Sequence, residues 1–124
     1  MPIPMDENKF HKIKKSFEAR GGVIDSSPDI DKHLNDKGAE ASTFDEKTIL
    51  IKHNQLPTAS AMFEELIHTT QYRMGKATGD NWIDMEIEAK SKLIKYKKQY
   101  DITDSEYQIT LQQLEELIKY KEEN

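Results

Sequence analysis

The chain contains no cysteine. This excludes a disulfide framework, a thiolate zinc site and a cysteine nucleophile together. It also lacks a basic excess: 18 Lys and Arg stand against 23 Asp and Glu, a net charge of −5. Non-specific nucleic-acid binding needs a basic surface, so no nucleic-acid partner is expected. No apolar run approaches the roughly 18 residues that span a membrane, and no membrane partner is expected. The opening MPIPMDENKF has no apolar signal core, so no secretory signal is read in this chain. No internal repeat is evident, and no low-complexity tract is longer than the terminal KYKEEN.

What is present is polar but patterned. Hydrophobic residues make up 35% and charged residues 33% of 124 residues, which predicts a thin core under a heavily solvated surface. A chain of this length reads as one domain, residues 1–124, able to bury roughly two-thirds of its unfolded surface. Phe10, Ile13 and Phe17 recur at helical spacing between Asp6 and Arg20, and Gly21-Gly22 stops that helix. Val23-Ile24-Asp25 is a short strand candidate. Ser26 to Gly38, with Pro28, Asn35 and Gly38 as breakers, reads as loop. Ala41–Phe44 and Thr48–Lys52 are read as a hairpin across Asp45-Glu46-Lys47, with Thr48-Ile49-Leu50-Ile51 the strongest strand. Pro57-Thr58 opens a helix to about Met74, Gly79-Asp80 opens another to about Tyr100, and Thr103 to Glu106 forms a capping box for a last helix. The predicted class is α+β: an N-terminal helix, a small antiparallel sheet of two or three strands, then three helices.

The chemistry concentrates in Phe63-Glu64-Glu65-Leu66-Ile67-His68. At about 100° per residue, Phe63, Leu66, Ile67, Thr70 and Met74 share one face, taken as the core face. Ala61, Glu64, Glu65, His68 and Tyr72 share the opposite arc. Glu64 and His68 are one turn apart and can converge on one ion, or form an ordinary weak pair on a solvated face. On the next helix, Trp82, Ala89, Leu93, Tyr96 and Tyr100 form an apolar stripe with Glu86 inside it, while Glu88 points to the polar side with Asp84, Ser91 and Lys95. A carboxylate in an apolar stripe needs a cation or strong donors. Glu86 is therefore either a third ligand with Glu64 and His68, a buried partner of Lys or Arg, or a carboxylate reaching water. Two carboxylates and an imidazole suit zinc, with manganese or iron as alternatives. Glu65, beside the first ligand, is placed to take a proton from a metal-activated water and pass it to a leaving amine. His11, His33 and His53 are isolated and read as surface residues. Gln71 reads as surface or as a ligand-orienting amide, Tyr72 as packing or as an oxyanion donor, and Lys90 to Lys98 as a solvated face.

Glu64-Glu65-x-x-His68 resembles the HExxH helix of the zincin metallopeptidases, with Glu64 in place of the first histidine. Glu86-Ile87-Glu88-Ala89-Lys90 is similar to the ExxAD helix of gluzincin-type families, with Lys90 in place of the aspartate. By that match Glu86 rather than Glu88 is the ligand. The stretch from Gly38 to Gly75, GAEASTF, TILIK and MFEELIHTTQYRMG, resembles the small zincin-like domains at the ends of bacterial polymorphic toxins. The resemblance implies a zinc-dependent peptidase with Glu64, His68 and Glu86 as metal ligands and Glu65 as general base. It also implies a protein or peptide substrate, and an immunity protein if the domain is a toxin. A location follows from export within a longer toxin, and is otherwise cytoplasmic. Two other readings stand beside it: a zincin-like binding module without catalysis, and a di-iron carboxylate protein built on Glu65-x-x-His68, which needs a second copy to complete it.

Overall fold

A computed structural model describes residues 3–124. Eight elements follow in order: α1 Glu7–Ala19, β1 Val23–Asp25, α2 Pro28–Lys37, β2 Ala41–Asp45, β3 Thr48–Ile51, α3 Ala59–Arg73, α4 Trp82–Lys95 and α5 Asp104–Glu123. The class is α+β. The strands form one sheet in the order β1-β3-β2. β2 and β3 pair as the expected antiparallel hairpin, but β1 runs parallel to β3, with Val23 opposite Thr48. The sheet is therefore mixed, not antiparallel. The reason is the connection: the chain leaves β1 through α2, and a helical crossover returns it to the sheet in a direction that a tight hairpin cannot.

That helix is a second correction. Residues 28–37, read as loop, are helical, with Leu34 fully buried. Pro28 occupies the first turn, and Gly38 ends the helix in the left-handed conformation at φ 66°. The supposed breakers are its start and stop signals. The side chain of Asp25 fixes the entry by accepting from Ser27 N at 3.0 Å.

β3 is the centre of the sheet, with Ile49, Leu50 and Ile51 all buried. α3 lies over β2 and β3 on one side and meets α4 on the other. The core joins Phe10 and Phe17 of α1, Ile24, Ile49 and Ile51 of the sheet, Met62 and Ile67 of α3, and Ala89 and Leu93 of α4. α4 ends at Lys95, short of the expected Tyr100. The chain then turns through 96–101, where Asp101 takes φ 54°, and Tyr100 still stacks on Phe63 at 4.1 Å between ring centroids. The capping box at Thr103 and Glu106 forms as expected. Glu106 also accepts from Ser60 N at 2.8 Å, while Glu40 accepts from Thr58 N at 3.0 Å. Two carboxylates thus complement the N-terminal end of α3. No helix among the described residues is long and apolar enough to cross a membrane.

Candidate metal centre

α3 is sandwiched, and that decides the site. A helix covered on one side shows one apolar stripe, but α3 is covered on two. Its buried residues are Ala59, Met62, Glu65, Ile67, His68, Thr69 and Gln71. Met74, placed on the core face by periodicity, is 63% exposed. Phe63 and Leu66 pack against the core from partly buried positions. The arc that carries Glu64, Glu65 and His68 faces other protein and a cleft, not open water.

Glu64 and His68 of α3 meet Glu86 of α4. One donor atom from each lies within 4.8 Å of the others, and among the described residues this is the one group of histidine and carboxylate donors so arranged. Such a group can hold a metal ion. A tetrahedral ion with bonds of about 2.0 Å needs its donors roughly 3.3 Å apart. His68 Nε2 and Glu86 Oε1 already stand at 3.1 Å, and a Glu64 oxygen lies within 4.8 Å of a donor on each. Glu65 lies outside it. Glu88 turns away from Glu86, as expected, and although partly exposed it also reaches Gln71 of α3.

The orientation of His68 is fixed by Gln71. This side chain is 1% exposed, against the surface position favoured from sequence. Its Nε2 donates to Met85 O at 3.0 Å and to Glu88 Oε1 at 2.8 Å. Both partners only accept, so the amide nitrogen must face them and Oε1 must face His68 Nδ1, at 2.7 Å. Nδ1 therefore carries a hydrogen and Nε2 is directed to Glu86 and the cleft. Lys76 holds the far oxygen of Glu88 at 2.9 Å. The chain of contacts from Lys76 through Glu88 and Gln71 to His68 is the arrangement by which proteins orient a ligating imidazole.

Lys90 is the second correction at the site. Expected on a solvated face, its side chain is only 12% exposed; it pairs with Glu64 Oε1 and lies 3.7 Å from Glu86 Oε2. The remaining isolated histidines are exposed, as expected.

These contacts set the proton affinities. Burial disfavours the His68 imidazolium, but the hydrogen bonds to Glu86 and Gln71 and the charges of Glu86 and Glu65 outweigh it and raise its pKa to about 9. Burial also opposes ionisation of Glu86, yet His68 and Lys90 hold it below the usual carboxylate range. Glu65 goes the other way. Burial, and then the charge of Glu64, push it up to about 7, although its Oε1 accepts from Thr43 Oγ1 at 2.8 Å. A carboxyl group poised near neutrality can exchange protons at physiological pH.

The triad lies at a cleft of about 360 Å³ between β2, α3 and the start of α4. Ser42, Thr43, Tyr72 and Trp82 line it together with Glu64, Glu65, His68 and Glu86. Tyr72 and Trp82 are 40% and 56% exposed. A second cavity, of about 490 Å³, shares Ala41, Glu64 and Glu65 with the first. Glu64 and Glu65 thus sit where two openings meet. Gln71 had a signal in the sequence, one turn beyond His68, and Lys90 likewise one turn beyond Glu86. Thr43 had none, because only tertiary packing brings β2 to α3. The chain matches no model of a known protein family, no curated protein and no solved structure.

Proposed function

We propose that this chain is a zinc-dependent, peptidase-like domain of the zincin type, acting as a toxin or effector on a protein or peptide substrate. The observation that supports it most is the convergence of Glu64, His68 and Glu86 beside a separate carboxyl group, Glu65, whose proton affinity is near neutral. Zinc suits one imidazole and two carboxylates, and manganese or iron fit the same donors. The ion, when bound, supplies Lewis acidity to water and to the carbonyl under attack. The chain supplies the rest. Gln71 keeps His68 Nε2 aimed at the ion. Glu65 takes the proton from the attacking water and delivers it to the leaving amine, with Thr43 steadying its carboxyl group. β2, Tyr72 and Trp82 border the space a peptide occupies.

Metal content and activity test this together. Wild type should bind one divalent ion per chain, and His68→Ala should bind none while keeping its helical spectrum. Glu65→Gln should keep the metal and lose about 10²- to 10⁴-fold in rate, as removal of a general base does. Growth and proteome cleavage in a bacterial or eukaryotic host, wild type against Glu65→Gln, read the activity. Equal metal content in wild type and His68→Ala removes the site. Toxicity undiminished in Glu65→Gln removes the catalytic role. A zincin-like binding module is the second reading, favoured by the cation that already occupies Glu64; a metal-loaded protein with neither toxicity nor cleavage would establish it.

A further inference from the structure

Lys90 carries a charge for which peptide hydrolysis has no evident use. It follows Glu86 by one turn on α4, and its ammonium touches Glu64 across the helix interface while lying 3.7 Å from Glu86. Glu86 uses its two oxygens differently: Oε1 meets His68, and Oε2 faces Lys90. Both carboxylates that could hold an ion are therefore in reach of one resident cation. A poorly solvated ammonium between two carboxylates does electrostatically what a bound cation does: it cancels their repulsion and keeps them together.

We propose that Lys90 is a built-in competitor for the metal. It is a positioning residue that keeps Glu64 and Glu86 converged when no ion is bound, and that leaves Glu64 when a divalent cation enters. This rests on the metal reading of the triad. A divalent ion and two carboxylates sum to zero charge, so an ammonium left beside them is repelled by the ion and no longer needed by the ligands. The four-carbon stem of lysine lets the head move without moving the helix. A cavity of about 460 Å³, which Lys90 lines, opens between α4 and α5 and carries Glu116 as an acceptor for the displaced ammonium. Lys90 thereby trades metal affinity for an assembled site.

The test compares wild type, Lys90→Met and Lys90→Arg, each stripped with chelator and titrated with zinc and with cobalt against a chromophoric chelator at one pH. Kept about 6 Å from a divalent ion, at an effective dielectric near 20, one unit charge would change an equilibrium constant by about ten-thousandfold, and displaced to about twice that distance it still costs about a hundredfold. Lys90→Met should therefore bind metal about 100-fold more tightly than wild type, yet melt at a lower temperature when stripped. Lys90→Arg, which keeps the charge, should resemble wild type in both. Equal or weaker metal binding by Lys90→Met, with wild type still binding one ion, overturns the competitor role and leaves the metal reading standing. No binding by wild type, indistinguishable from His68→Ala, overturns both and makes the cluster a salt-bridge network. Should Lys90→Met fail to fold when stripped, Lys90→Gln keeps a hydrogen-bond donor without the charge, and the same tightening is expected of it.

Discussion

Gln71 offers the sharpest separation between holding the fold and holding an ion. Its amide makes three hydrogen bonds from a position with 1% exposure. Gln71→Leu keeps the volume roughly constant and removes all three. Glu88 keeps Lys76 and reaches water, being 33% exposed, so its loss is small. Met85 O keeps its intrahelical partner within α4, whereas His68 Nδ1 is left without a partner inside the protein. The unpaired Nδ1–H costs about 1 to 3 kcal/mol and the two lost amide N–H bonds add about 1 kcal/mol, so a loss of about 2 to 4 kcal/mol is expected. That corresponds to roughly 8 to 16 °C in Tm for a domain of this size. Metal affinity should fall by about 10- to 100-fold as well, because the imidazole loses the group that orients it. Gln71→Glu dissociates the two effects. Its carboxylate still accepts from Nδ1, so metal affinity is kept, but it faces Glu88 and Met85 O with no donor, so stability falls. Calorimetric metal titration and thermal melts of both variants read this directly. If Gln71→Glu loses metal affinity as fully as Gln71→Leu, the amide does not act through Nδ1 and the orientation argument fails.

Other outcomes follow from the same geometry. Glu86→Gln should lose most metal affinity, whereas Glu88→Gln, which keeps an acceptor for Gln71, should stay within a few fold; a reversal would exchange their roles. In chelator-stripped protein the His68–Glu86 pair adds stability that is fully present below the ordinary histidine value of 6.5 and is lost as pH rises through about 9. Glu65, raised from 4.5 to about 7, acts in the same direction at lower pH. Tm should therefore fall between about pH 6 and about pH 9.5, and a flat or rising profile contradicts the assignment. Because binding displaces the His68 proton, apparent metal affinity should rise about tenfold per pH unit between pH 7 and pH 9, the proton linkage expected of a ligand that must deprotonate. Glu106→Ala removes the Glu106 half of the capping box of α5 and releases Ser60 N together, and should cost about 2 to 3 kcal/mol in a denaturant melt.

The sequence exposed those parts whose signals are local. The β2–β3 hairpin, the capping box at Thr103 and the meeting of Glu64, His68 and Glu86 all follow from spacing along one or two elements. Other features were hidden because their cause is tertiary. α2 has too few apolar residues to show a period, since Leu34 alone anchors it fully. The parallel pairing of β1 depends on the path through α2. The burial of Gln71 and Lys90 depends on α3 having protein on two sides, a condition under which polar residues are retained in pairs and periodicity loses its meaning. Thr43 meets Glu65 only because β2 runs beneath α3.

All three donors and Lys90 come from the single helical hairpin of α3 and α4. The Glu64–Lys90 contact spans 26 residues of chain, while the tie between Lys9 and Asp101 that secures α1 spans 92. An ion held by the hairpin grips two helices and nothing else, so its binding energy is withheld from the periphery. Amide hydrogen exchange should register this as unequal protection. With metal bound, α3 and α4 slow most, while α1, tied at its N-terminal end by Lys9 and by Met5 N on Pro57 O, opens and exchanges at nearly the same rate as before. The N-terminal helix can then detach transiently without releasing the ion.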